Sequence, residues 1–291
     1  VLTLAESGTP APEGTVAITF DDGYRDNHEV AWPILRREGC PAAIFVVVDS
    51  LETGAPPWPQ RLHLLLRRAR VPHLTVTLPP DGSGGGPGTR RLDLSTGPAR
   101  ATAYRTLKQI LGRLDRKARE ALLDALAVSL GAETVVSPPE GYMLGWPEAR
   151  ELAEAGITLG SHTMTHPSLA PLSRDELRWE LEESRRRLES GLGRKVTLLA
   201  YPFGKAANFG AEVKDAVRAA GYRAAYTTLH GSDGPGADPF GLRRVKVEDE
   251  PAWRFAIRLL TLQRPRPLLE WILKDGRAAT SSAARPPHRL T

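Results

Sequence analysis

Residues 15–48 read TVAITFDDGYRDNHEVAWPILRREGCPAAIFVVV, and this stretch decides the fold. Thr15 to Phe20 is a short apolar, β-branched run that stops at Asp21-Asp22-Gly23, the pattern of a buried strand ending at a polar turn. Residues 27–38 follow as a helix with Val30, Ile34 and Leu35 on one side. Ala42 to Val48 is a second apolar run of strand length. Strand, helix and strand at this spacing make a βαβ unit, and therefore a parallel sheet.

Downstream the alternation breaks and later resumes. Residues 52–140 read as an insertion. Within it Trp58 to Arg70 is helical, and His73–Leu78 and Arg90–Leu94 can pair as a hairpin around a glycine-rich tip at 81–88. Residues 99–130 form a helix or helix pair. From Trp146 the pattern returns: helix 147–155, strand 157–160, then a helix opened by the capping box of Ser173 and Glu176 and running to about Ser190. Strands at 196–201, 223–228 and 242–247, a helix at 211–220 and a terminal amphipathic helix at 252–274 complete the chain. The expected domain is residues 1–277, with a disordered tail over 278–291. Six or more strands with intervening helices favour a distorted (β/α) barrel of TIM type, with a doubly wound open sheet as the alternative.

Composition excludes some classes. Hydrophobic residues make up 41% of the 291 and charged residues 25%, ordinary for a folded domain. The net charge of +5 is spread over 39 basic and 34 acidic residues, with no aromatic-interleaved basic stripe, so no nucleic-acid partner is expected. Cys40 is the one cysteine, which excludes an intramolecular disulfide. The longest apolar run, Ala42 to Val48, is too short to span a bilayer, so no transmembrane segment is expected. No leader is read at the start. Val1 rather than Met in first place fits removal of an upstream segment, and localisation stays open between the cell envelope or exterior and the cytoplasm.

Three polar clusters stand at predicted strand ends: Asp21-Asp22, then His162 with His166, then Tyr201-Pro202-Phe203-Gly204. In parallel α/β folds that edge is where sites are built. Four-residue spacing can put two imidazoles on one ion, although alone it also fits a capped surface turn. Two adjacent carboxylates need a positive charge, a donor or an ion to offset their repulsion, although Asp-Gly is also common in solvated turns. Together the clusters offer two imidazoles, one carboxylate ligand and one spare carboxylate able to serve as a general base.

At this point the chain resembles a known family. Thr19-Phe20-Asp21-Asp22-Gly23-Tyr24 and Ser161-His162-Thr163-Met164-Thr165-His166-Pro167 resemble the first two motifs of the polysaccharide deacetylases, the NodB-homology proteins of carbohydrate esterase family 4. Leu199-Ala200-Tyr201-Pro202-Phe203-Gly204 is similar to their third. The resemblance covers roughly 15–50 and 142–247. It implies a barrel, usually of seven strands, with Asp21 as general base and Asp22, His162 and His166 as ligands of a divalent metal. Zinc suits that set, and cobalt, nickel or manganese are alternatives. It further implies that the backbone N–H of Phe203 stabilises the oxyanion, and that acetyl groups leave N-acetylated amino sugars of a cell-wall or exported polysaccharide.

There are departures. Ala200 stands where many members carry an arginine that orients the base, so Arg243 or Arg244 is expected to take that role. The family's late histidine acid is missing from its usual setting, which leaves His230 as the candidate. Tyr24, Tyr201, Pro202 and Trp146 are candidate substrate contacts, and Trp58 and Tyr142 further stacking platforms. Two other functions stay open: C–N hydrolysis of a small amide or formamide, and a non-catalytic carbohydrate-binding barrel.

Overall fold

The computed structural model describes residues 15–78, 88–131, 141–234 and 236–262. Six strands form one sheet: β1 (Ile18–Phe20), β2 (Ala42–Val46), β5 (Thr158–Ser161), β6 (Leu198–Ala200), β7 (Ala224–His230) and β8 (Leu242–Arg244). Every neighbouring pair is parallel, and spatial order follows chain order. A doubly wound sheet reverses direction at a switch point and a barrel does not, so this order selects the barrel. The family resemblance implied seven strands; six are present among the described residues.

The curl of the sheet can be read from side chains. Strand β2 is buried along its whole length, as a parallel strand covered on both faces should be. Ala42, Ile44 and Val46 face the helices, whereas Ala43 and Phe45 face inward with Leu198, Ala200, Ala224 and Tyr226. The Phe45 and Tyr226 rings lie 5.3 Å apart although β5 and β6 separate their strands. Three strand spacings in a flat sheet would put them about 14 Å apart, so the sheet must be strongly concave. Gly160 on β5 makes room for that contact, since a Cβ there would fall 2.5 Å from the Phe45 ring.

The edges of the curled sheet are joined by a side chain. Arg244 on the last strand donates from Nε to the Thr227 carbonyl (2.7 Å) and from Nη1 to Thr19 Oγ1 on the first strand (3.3 Å). Its two terminal nitrogens also grip both oxygens of Asp21, each at 2.7 Å. A guanidinium fork thus spans the gap between β8 and β1.

The first crossover begins with a π-helical turn, Asn27–Ala31, before α1 (Trp32–Arg37). Pro33 has no N–H to give the carbonyl four residues back, which explains why the predicted uninterrupted helix is wound irregularly at its start. After β2 and a short α2 (Val48–Thr53) comes the inserted region. It comprises α3 (Trp58–Arg68), the antiparallel hairpin β3 (His73–Leu78) and β4 (Gly88–Asp93), α4 (Gly97–Leu111) and α5 (Arg116–Ser129). The predicted helix pair is therefore present, with Thr96 and Asp115 as N-caps. These elements share an apolar core of their own that includes Trp58, Leu62, Leu107 and Leu123.

Helices α6 (Trp146–Glu154), α7 (Arg174–Leu192) and α8 (Ala211–Ala219) cover the outer face of the sheet, and α9 (Ala252–Leu262) ends the described chain. The predicted continuation of α9 to residue 274, the tail over 278–291 and most of the hairpin tip lie outside the described residues. Among the described residues no helix is long and apolar enough to cross a membrane.

Candidate active site

The loops after β1, β5 and β6 meet at one place. Four non-glycine residues have positive φ among those described, namely Asp22 (70°), Thr163 (69°), His166 (59°) and Phe203 (63°), and all four are in these loops. For Thr163, which is β-branched, that conformation is a marked exception. Strain of this kind persists only where the surroundings over-determine it. Here Ser161 Oγ accepts from the Thr163 N–H, Thr163 Oγ1 from the His166 N–H, and the Thr163 carbonyl from the Val48 N–H.

The result brings Asp22, His162 and His166 together, each offering one atom and all within 4.8 Å of one another. Asp22 Oδ1 lies 3.5 Å from His162 Nε2 and 3.3 Å from His166 Nε2. Those separations suit a shared ion better than direct hydrogen bonds, because ligands bound tetrahedrally at about 2.0–2.1 Å stand about 3.3 Å apart. The Asp22 Oδ1 atom is buried and accepts no hydrogen bond. His162 is oriented by its Nδ1, which donates to the Ala200 carbonyl at 2.8 Å and leaves the Nε2 lone pair facing Asp22. Burial also pushes the His162 imidazole down in pKa, which favours that neutral form. These donors fit a divalent metal of the zinc class.

Electrostatics keep both carboxylates ionised. Burial works against the Asp21 anion, but the charge of Arg244 and its hydrogen bonds to both carboxylate oxygens oppose it, and the carboxyl is held below the usual range. Burial likewise opposes Asp22, yet His166 and the Tyr24 hydroxyl hold it well below that range. Tyr24 is pushed up by burial and by Asp22, so it stays protonated and donates to that carboxylate.

Several expected contacts are placed elsewhere. Arg244, not Arg243, pairs with Asp21; Arg243 is exposed and lies near Asp233. Tyr201 is fully buried, donates to the Phe240 carbonyl and stacks on Phe209 at 4.6 Å, so it supports the loop from beneath. Pro202 is buried beside it. Trp146 packs on Gly191 of α7 and under Arg150, in the helical layer. Trp58 is buried in the inserted core, and Tyr142 meets Tyr24 edge-on while accepting from Gln60. His230 is exposed at the end of β7 with its Cα opposite Arg244, and none of the ion pairs of Asp21 or Asp22 includes it. Phe203 does belong here: its ring lies 5.0 Å from His166, and its N–H has no acceptor among the described residues.

Two supports were not visible in the sequence. The Trp58 indole donates to the His166 carbonyl (2.8 Å), which ties the inserted region to the histidine loop. Glu180 on α7 accepts from the N–H groups of Met164 and Thr165 and from the Thr165 hydroxyl. Truncating Glu180 to alanine strands the buried Met164 N–H and the part-buried Thr165 N–H and is expected to cost about 3 kcal/mol of stability. Metal affinity should fall about 10- to 100-fold, as for other changes behind a ligand. Chemical denaturation and a metal-competition titration would show both effects, and an unchanged affinity would limit Glu180 to the fold.

Comparisons with known proteins agree with this geometry. The family model described as polysaccharide deacetylase matches residues 8–71 and 96–225, and the unmatched stretch between them contains the β3–β4 hairpin. YxkH of Bacillus subtilis, a relative named for the same family, is 21% identical over 84% of this chain, which spans only 56% of YxkH. The deacetylase PplD of Streptococcus pyogenes, solved in complex with acetate, is 17% identical with a TM-score of 0.53 over 91% of this chain and 76% of its own. IcaB from Ammonifex degensii is 16% identical with a TM-score of 0.51 over 89% and 78%. At these identities the two structures speak for the fold alone, whereas the model match spans most of the chain. The chain belongs to the polysaccharide deacetylase family.

Proposed function

We propose that this protein hydrolyses the N-acetyl groups of amino sugars, most simply N-acetylglucosamine units of a cell-wall or exported polysaccharide. The observation that carries the reading is the Asp22–His162–His166 triad at metal-ligand spacing beside an ionised Asp21. In this reading the triad holds a divalent ion, with zinc the best match to its donors. Such an ion supplies Lewis acidity, polarising an acetyl carbonyl and making water more acidic.

The protein's own residues do the rest. Arg244 occupies one lone pair on each Asp21 oxygen, which leaves another free to take the proton of the attacking water. The Phe203 N–H donates to the oxyanion that develops on the carbonyl. As the C–N bond breaks, the departing nitrogen takes a proton, either the one Asp21 has just accepted or one from His230. A His230→Asn variant separates these donors, since a large loss of kcat would assign the step to His230. Tyr24 fixes Asp22 through its hydroxyl.

Because Arg244 contributes to holding the Asp21 carboxyl low, Arg244→Met should raise the Asp21 pKa. The acidic limb of kcat/KM then moves to higher pH, measurable as a pH–rate profile of acetate release. An unmoved limb would mean that Asp21 is not the titrating base. The reading as a whole is tested by acetate release from chito-oligosaccharides during a metal titration. Chelated protein should release none and zinc should restore release, with cobalt, nickel and manganese as comparisons. No release from any N-acetylated glycan with any of these metals would reject it.

A further inference from the structure

The inner stripe of α7 is interrupted by a hydroxyl. Leu177, Leu181, Ser184 and Leu188 follow one another at three- and four-residue spacing, and all are buried. The three leucines belong to the main core, and Ser184 takes the place of a fourth. A serine there is costly twice over. It is a poorer helix former than alanine, and its hydroxyl must find partners away from water.

Those partners lead to the histidine loop. The Thr163 N–H donates to Ser161 Oγ (3.1 Å), and the Ser161 hydroxyl donates in turn to Ser184 Oγ (3.0 Å). Ser184 Oγ stands 3.2 Å from the Tyr222 hydroxyl and donates to the Leu181 carbonyl at 3.1 Å. Tyr222 donates to that same carbonyl (3.0 Å). Burial pushes the Tyr222 phenol up to about 12, so it keeps the proton it donates. Thr163, Ser161 and Ser184 are fully buried and Tyr222 nearly so, and rows of bonds in such surroundings strengthen one another.

The row begins at the strained residue. Thr163 is held at a φ of 69° directly after His162, and its Oγ1 accepts from the His166 N–H. Both imidazoles therefore depend on the peptide that this row holds. Without Ser184 Oγ, the Ser161 side chain loses the acceptor that sets its rotamer, and with it the aim of Oγ at the Thr163 N–H.

Resting on the metal-site reading, we infer that Ser184, backed by Tyr222, is a positioning residue for the metal ligands. Through Ser161 it holds Thr163 left-handed and so aims His162 and His166 at one ion.

The test needs no substrate. A competing chelator reads zinc affinity, and the visible spectrum of the cobalt-loaded protein reads ligand geometry. Ser184→Ala should change that spectrum and weaken zinc binding about tenfold or more, within the roughly 10- to 100-fold range of supporting residues. Ser161→Ala should do the same. The Ser184→Ala/Ser161→Ala double variant should bind no more weakly than Ser161→Ala alone, because the two act in series. Tyr222→Phe should cost only about threefold, because Ser184 keeps the Leu181 carbonyl. Unchanged affinity in Ser184→Ala, or additive losses in the double variant, would overturn the inference. A lowered melting temperature with affinity and spectrum intact would confine Ser184 to the fold and overturn it too. Should Ser184→Ala not fold, Tyr222→Phe decides, and unchanged affinity there would count against the row. Hydrogen exchange of the metal-free protein keeps the two readings apart. In Ser184→Ala the Thr163 and His166 amides should exchange about tenfold faster while those of α3 do not change. A wild type that binds no zinc would reject the metal reading, whereas that exchange pattern would still support the hold of Ser184 on the loop. Zinc binding with exchange and affinity both unmoved would reject the positioning role alone.

Discussion

Asp21→Asn is expected to lower kcat about 10³-fold, within the roughly 10²- to 10⁴-fold range of general-base contributions, while KM and zinc affinity stay close to wild type. The substitution keeps the shape of the side chain and removes its ability to hold a proton. Neither Asp22 nor the two histidines is altered, so the metal should still bind. Half of the Arg244 fork is lost, because the new amide nitrogen donates and cannot accept. Acetate release would report the rate and a competing chelator the metal. Intact turnover in a metal-loaded sample would show that the base lies elsewhere.

His166→Ala is the second change of large effect. It leaves two of three ligands, so metal affinity should fall by more than the roughly 10- to 100-fold seen for supporting residues. Turnover should disappear at stoichiometric metal. This variant is cleaner than His162→Ala, because His162 Nδ1 donates to the Ala200 carbonyl and its loss would strand a buried acceptor. His166 Nδ1 has no partner, so truncation breaks no polar contact of the apo protein apart from that with Asp22. A folded His166→Ala protein that binds zinc as tightly as wild type would reject the triad.

The parts of the site that were legible in the sequence share a cause. Short apolar runs ended at polar turns, and in the parallel sheet that strand–helix alternation implies those ends share one edge. That edge drew His162, His166 and the Asp21-Asp22 pair together, and the family resemblance picked Asp22 of the two as the expected ligand. Arg243 and Arg244 could not be told apart, because neighbours on a strand face opposite sides and a three-residue strand gives no alternation to set the parity. Tyr201 and Trp146 looked like substrate contacts because an aromatic residue reads alike whether it meets a ligand or a core. Burial decides, and burial depends on Phe209, Phe240 and Gly191, which are distant in sequence or on another element. Trp58 reaches His166 across 108 positions, a contact no local pattern encodes.

The Arg244 fork gives the site an unusual dependence. One side chain both latches the first strand to the last and helps to hold the carboxyl of the proposed base ionised. Gentle warming that parts this latch would disarm the chemistry while the outer helices and the inserted core stay intact. Inactivation should therefore run ahead of the loss of helical signal. A lineage of such chains could vary its exterior freely yet would find the seam between its terminal strands nearly immovable.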